Sequence, residues 1–260
     1  MLRYGPVTAW TVVLILAISP SRASADGLGF KVAFSNCEEF VGEGPVALAP
    51  AQRLVPSGYA VTASSPDHAP IVVRMIRCEA AKVDGTRAVP TTISQIGVKI
   101  VSPDGTGAID TYTLIYVTNS PFLAEALDRI GVPASYDPAI TYEYTRNGAG
   151  NGGMLYGAVP YANVANVAAY FLHGPETEPA PNSQRLFIAN WWHGAGDAAR
   201  VRLQTTFPAI SFGASNVTLY TSAFSALGQL IGGNAFGNFS MLALRGVYAG
   251  AEMIVTDAGR

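Results

Sequence analysis

Residues 112–135 read YTLIYVTNSPFLAEALDRIGVPAS, and this stretch organises everything around it. Its first six residues, rich in β-branched and aromatic side chains, predict a strand. Ser120 then offers a hydroxyl N-cap ahead of Pro121, whose fixed φ suits the first helical position, and Gly131 follows Ile130 as a stop. A short helix over 121–130 is the consequence. Outward from here the chain alternates apolar and polar residues at period two, with strands expected at 72–76, 96–101, 140–144, 169–172, 201–205, 217–221 and 253–256. Two more short helices are expected at 45–54 and 225–231. Ser102-Pro-Asp-Gly-Thr-Gly107 and Asn147-Gly-Ala-Gly-Asn-Gly-Gly153 read as hairpin loops. The second resembles a phosphate cradle only superficially, because no strand-to-helix step or Lys-Ser/Thr follows it. No repeat or linker divides the chain, so 26–260 reads as one mainly β domain with few short helices.

Of the 260 residues, 49% are hydrophobic and only 13% are charged, a balance that excludes disorder and calls for a sizeable enclosed interior. The formal net charge is −2, and the lysines are three, Lys31, Lys82 and Lys99, with no basic run. Nucleic acid is therefore excluded as a partner.

Residues 1–25 read as a secretory signal: Arg3, an apolar run over 9–18, then Ala23-Ser24-Ala25 as a cleavage site before Asp26. The run is too short to span a bilayer, which takes about 20 residues. An uncleaved anchor is the alternative. Loss of Arg3 and Arg22 leaves 14 basic against 18 acidic residues, a net charge of −4. No later stretch is apolar for long enough to span, so the expected location is secreted or periplasmic. In such an oxidising compartment Cys37 and Cys78 most simply form one disulfide. No CxxC pair is present, and His68, His173 and His193 have no ligand spacing, so neither a metal nor another cofactor is expected.

Three phrases, in order, resemble the acetoacetate decarboxylase-like superfamily. Ala49-Pro-Ala-Gln-Arg-Leu-Val-Pro-Ser-Gly-Tyr-Ala-Val61, leading into Ile71-Val-Val-Arg-Met-Ile-Arg77, is similar to the family's "LLPEGLEV" and its following strand. The strand and helix of 112–130 end in Gly131-Val-Pro-Ala-Ser135, where the family has "GFPKK". The closing segment 239–257 is similar to "LPVREVVGGSHIVAD". The resemblance covers about the whole chain after the leader and implies a curved antiparallel sheet closed into a cone-like barrel around a pocket. It also implies a departure. Family decarboxylases form a Schiff base through the first lysine of "PKK", and Ala134 and Ser135 stand there; the family's "GRE" meets Ala126-Leu127-Asp128, and its strand glutamate falls near Ser94-Gln95. No catalytic residue carries over.

Other residues offer chemistry of their own. Lys99 shares a strand face with Gly97 and Val101. Pointing inward, it would be a lone amine of lowered pKa able to act as a relocated Schiff-base lysine; pointing outward, it is a solvent-facing lysine. Glu143 lies opposite Tyr142 and Tyr144 in strand alternation, so either Glu143 is an inward general base or the two tyrosines form an inward aromatic wall. His173 and His193 are candidates for proton transfer, and Trp191 and Trp192 for a flat apolar binding surface; simple packing is the other reading for the tryptophans. Three functions follow: a lyase, isomerase or hydrolase using these groups, a binder of a small apolar or oxo-acid-like ligand, or a structural barrel of the cell envelope. Ligand and oligomeric state are left open.

Overall fold

The run 71–77, IVVRMIR, is apolar almost throughout because the strand that contains it is buried on both faces. The computed structural model describes residues 29–148, 150–160, 169–194 and 200–258. The leader read at 1–25 lies outside the described residues. In chain order the elements are β1 (Phe30–Ala47), α1 (Leu48–Leu54), β2 (His68–Val83), β3 (Val89–Lys99), β4 (Ile109–Thr118), α2 (Pro121–Arg129) and β5 (Ala134–Tyr136). Then come β6 (Thr141–Arg146), β7 (Gly152–Val159), β8 (Tyr170–Thr177), β9 (Arg185–His193), β10 (Val201–Ala214), β11 (Thr218–Thr221), α3 (Ala226–Ile231), β12 (Ala235–Phe236) and β13 (Leu242–Asp257).

Seven strands, in the order β3-β2-β1-β13-β10-β9-β4, form a ring that β4 closes by pairing back onto β3. The closed, curved sheet is the mainly β architecture expected. Its pairing is antiparallel except where β4 meets β9 and β5, which run parallel to it. A parallel neighbour needs a long crossover, and here the chain between β4 and β9 supplies three strands of a second sheet on the way. That sheet, β12-β11-β8-β7-β6, is antiparallel throughout.

Alternation along each strand divides the apolar residues into two cores. On β2, Val72, Ile76 and Cys78 join the ring's interior, with Phe34, Tyr116, Trp191, Phe207 and Met253 contributed by its other strands. The intervening Ile71, Val73 and Met75 face outward, where Tyr142, Leu155, Tyr170, Leu172 and Leu219 of the second sheet cover them. Gly157 makes that approach possible, since a Cβ there would overlap the Met75 sulfur.

The helices follow the capping chemistry. Leu123 N donates to Ser120 Oγ at 3.4 Å to start α2, whose Leu123, Ala126 and Leu127 enter the interior core. Gly228 N donates to Ser225 Oγ at 2.9 Å to start α3, which ends at Gly232 with φ 77°. The first helix begins at Leu48 rather than Pro45, because β1 continues through Ala47 and pairs Pro45 with Pro70. The tight loops between β3 and β4 and between β6 and β7 both join antiparallel strands, as hairpins do. Cys37 and Cys78 face each other across β1 and β2 and form a disulfide.

Candidate functional site

The ring's interior is not filled. Between Val41, Val72, Phe187, Trp191, Phe207 and Leu244 lies a cavity of about 160 Å³, lined also by Phe212 and by the exposed Arg185, whose guanidinium carbon is 4.8 Å from the Phe212 ring centroid. Each of these side chains projects inward because it occupies the same alternation phase of its strand as the interior core.

One wall is polar. Arg74, on β2 between outward Val73 and Met75, carries its charge into the ring, and only 5% of the residue is exposed. Its Nε and Nη2 both donate to Glu39 Oε2, at 2.9 and 2.5 Å, and Nη1 donates to Gln95 Oε1 at 3.2 Å. The Tyr248 hydroxyl donates to the same Glu39 oxygen at 3.3 Å, and the guanidinium carbon lies 5.2 Å from the Phe207 ring centroid. Burial, the largest single influence, would lower the Arg74 pKa, but the charge and hydrogen bonds of Glu39 together with Tyr248 and Tyr116 leave the guanidinium above its ordinary value. Thr111 also lines the cavity, and its buried Oγ1 has no hydrogen-bond partner. A buried hydroxyl without a partner is a cost that a ligand's polar atom would remove.

The residues singled out from the sequence are scattered. Trp191 lines the cavity, but Trp192, next along β9, points to the opposite face; it packs between the sheets and donates from Nε1 to Asp110 Oδ1 at 2.8 Å. The two cannot form one flat surface, because neighbouring strand residues face opposite ways. Tyr142 and Tyr144 lie between the sheets rather than inside the ring. Glu143, their neighbour, is exposed on the outer face of the second sheet, across from Tyr156. His173 is exposed on that same face, with Nδ1 3.1 Å from Leu155 O. His193 is stacked on Tyr112 with ring centroids 5.4 Å apart, and burial lowers its pKa.

Lys99 is not a lone amine. It reaches across to Glu43 Oε1 at 2.8 Å. Both sit beside the cavity wall, Lys99 paired in register with Thr111 and Glu43 with Val72 and Leu242. Ala134, where the similar family phrase has its first lysine, packs against the interior core. Sequence reasoning passed over Arg74, Glu39 and Thr111. An arginine within an otherwise apolar strand was the available signal for the first, because a charge at such a position needs a buried partner.

No family model matches the chain, and no curated protein matches it in sequence. Solved structures do match it. An acetoacetate decarboxylase superposes with a TM-score of 0.55 at 13% identity over 87% of each chain. The enduracididine biosynthesis enzyme MppR complexed with pyruvate superposes at 0.54 and 13% identity, over 97% of this chain and 98% of that one. An acetoacetate decarboxylase-like enzyme from Sphingomonas wittichii gives 0.54 at 10% identity, over 88% and 92%. At these identities the likeness is one of fold, and it agrees with the closed ring of strands: the chain has an acetoacetate decarboxylase-like fold.

Proposed function

We propose that the ring interior binds a small, mostly apolar molecule carrying an oxo-acid-like polar end, and that it does so without an imine to lysine. The observation that carries this reading is the 160 Å³ cavity itself, apolar over most of its wall and polar at Arg74, Glu39 and Thr111. That volume suits a molecule of benzene's size. The aromatic and leucine side chains take up its body, and the Thr111 hydroxyl, otherwise unpartnered, meets a polar atom. The pyruvate complex of MppR, which shares the fold, supports an oxo acid as the class to try first.

Binding is favoured over catalysis by the state of the charged groups. Glu39 is held by Arg74 and Tyr248, and Lys99 is held by Glu43. A carboxylate and an amine already engaged in this way are poorly placed to move protons or attack a carbonyl.

The leader and the disulfide support export to an oxidising compartment. No helix among the described residues is long and apolar enough to cross a membrane. N-terminal sequencing of the protein recovered from outside the cytoplasm is expected to begin at Asp26; a start at Met1 would show an uncleaved segment.

The test of binding is a titration of tryptophan emission with short 2-oxo and 3-oxo acids and their uncharged ketone counterparts, followed by borohydride and intact mass. Saturable emission change with no mass gain is expected, and Leu244→Trp, which fills the cavity, is expected to abolish it. Failure of every compound to saturate would end the cavity reading. A reduced adduct on Lys99 would instead establish a relocated Schiff base.

A further inference from the structure

A second group of buried charges lies between the ring and the second sheet, outside the cavity. Arg245 of β13 has a side chain only 3% exposed, and its Nη2 donates to Glu38 Oε2 of β1 at 2.6 Å. Its Nη1 lies 3.5 Å from Glu176 Oε2 of β8, and its Nε 3.8 Å from Glu178 Oε2 just beyond β8. The guanidinium carbon also lies 3.5 Å from the centroid of the Tyr144 ring. One buried cation thus serves three carboxylates. Further cations sit at the margin, Arg77 on Glu38 and Arg146 on Glu178, but their side chains are 51% and 70% exposed and are screened by water. The Glu176 side chain has no exposed surface.

Glu176 is faced from every side by elements of both sheets. Arg245 approaches from β13, Glu38 from β1, Tyr142 and Tyr144 from β6, and Ser215 from the residue after β10, whose backbone bridges that of Glu176. The Tyr142 hydroxyl is buried there with no hydrogen-bond partner. When Glu176 is ionised, the third and most buried negative charge depends on a guanidinium already committed at shorter range to Glu38. When it is protonated, the sharing is relieved.

We propose that this cluster is a pH-sensitive clasp, which holds the end of β8 against the ring while Glu176 carries a proton and loosens when Glu176 ionises. The placement of the cluster gives the clasp its effect. Glu38, Glu178 and Arg245 line a groove of about 1020 Å³ that brings solvent to its edge, so release of β8 widens an existing opening. The electrostatics run the same way. Burial, the largest cause, raises the Glu176 carboxyl to about 7, and Arg245 and Ser215 offset it only in part. A folded value above the ordinary one means that the native state holds the proton more tightly. The stabilising contribution is therefore full below the ordinary carboxylate range and is lost as pH rises through neutrality.

The experiment follows thermal unfolding of the wild-type protein and of Glu176→Gln between about pH 5 and 8.5 at fixed ionic strength. Hydrogen exchange of peptides from β8 and β2 is measured alongside, corrected for intrinsic rates. The wild-type Tm is expected to fall by roughly 5 °C across the range, and the glutamine variant, a neutral isostere, to hold a flatter profile. Protection of β8 is expected to drop at the upper end in the wild type alone, with β2 unchanged. Equal slopes for the two proteins, or equal loss of protection in β8 and β2, would overturn the clasp. Should the variant fail to fold, a ¹³C titration of the Glu176 carboxyl decides the matter, since a midpoint in the ordinary carboxylate range overturns the proposal and one near neutrality upholds it.

Discussion

Arg74 stands on a strand whose neighbours are valine and methionine, and its presence there depends on Glu39, which accepts two of its N–H groups. Removing one member of a buried pair strands the other, so Arg74→Met is expected to cost about 3–5 kcal/mol in urea unfolding. The double variant Arg74→Met with Glu39→Leu is expected to recover most of that loss, because neither charge is then left alone. An equal loss in both would show that the pair is not the unit of stability. Thr111 gives the opposite expectation. Its Oγ1 has no partner, so Thr111→Val is expected to leave stability unchanged or raise it by up to about 1 kcal/mol, while weakening binding of the oxo acids that saturate the wild type. A clear destabilisation would mean that the hydroxyl has a partner in solution.

At the scale of elements, α2 shows how a local signal sets a tertiary position. The Ser120 cap and Pro121 start a helix of nine residues, and that start orients Leu123 and Leu127 into the ring's interior core. Ser120→Ala is expected to cost about 1 kcal/mol in chemical denaturation, the usual worth of such a cap. No measurable cost would show that packing alone holds the helix. This element was legible from residues 120–131 because capping is written in adjacent positions. The pair Trp191 and Trp192 was legible only as strand residues. Alternation requires the two rings to part, yet which of them enters the cavity depends on the strands to either side. Trp191→Phe is therefore expected to remove the emission response to ligand, and Trp192→Phe to keep it.

At the scale of the molecule, the ring closes through pairings far apart in sequence, β1 with β13 above all. The Cys37–Cys78 bridge ties β1 to β2 across a separation of 41 residues. By chain-entropy reasoning a loop of that length is worth about 3–4 kcal/mol, so reduction is expected to lower the Tm by roughly 10 °C. Free thiols at both positions in the purified protein, or an unchanged Tm on reduction, would contradict this.

The amino-acid sequence by itself determined that the protein is mainly β, where two of the three helices among the described residues start, and that its two cysteines stand alone to pair. These properties depend on residues within a few positions of each other, or on composition. Only the tertiary structure decided what lies inside. Period-two patterning states that Tyr142 opposes Glu143, and Trp191 opposes Trp192, but a ring with a second sheet stacked on it offers two apolar destinations. A tyrosine can satisfy the pattern equally well in either. Irregularities then shift the phase along a strand: at Asn36, with φ 49°, the interior face of β1 passes from Val32 and Phe34 to Cys37 while the pairing keeps its register, and between Ile96 and Gly97 of β3 the partner β4 carries one extra residue. Each exchanges the inner and outer faces of the strand that carries it, β1 at Asn36 and β4 between Tyr112 and Tyr116. That is why the interior Arg74, Glu39 and Thr111 emerged only once the strands were assembled.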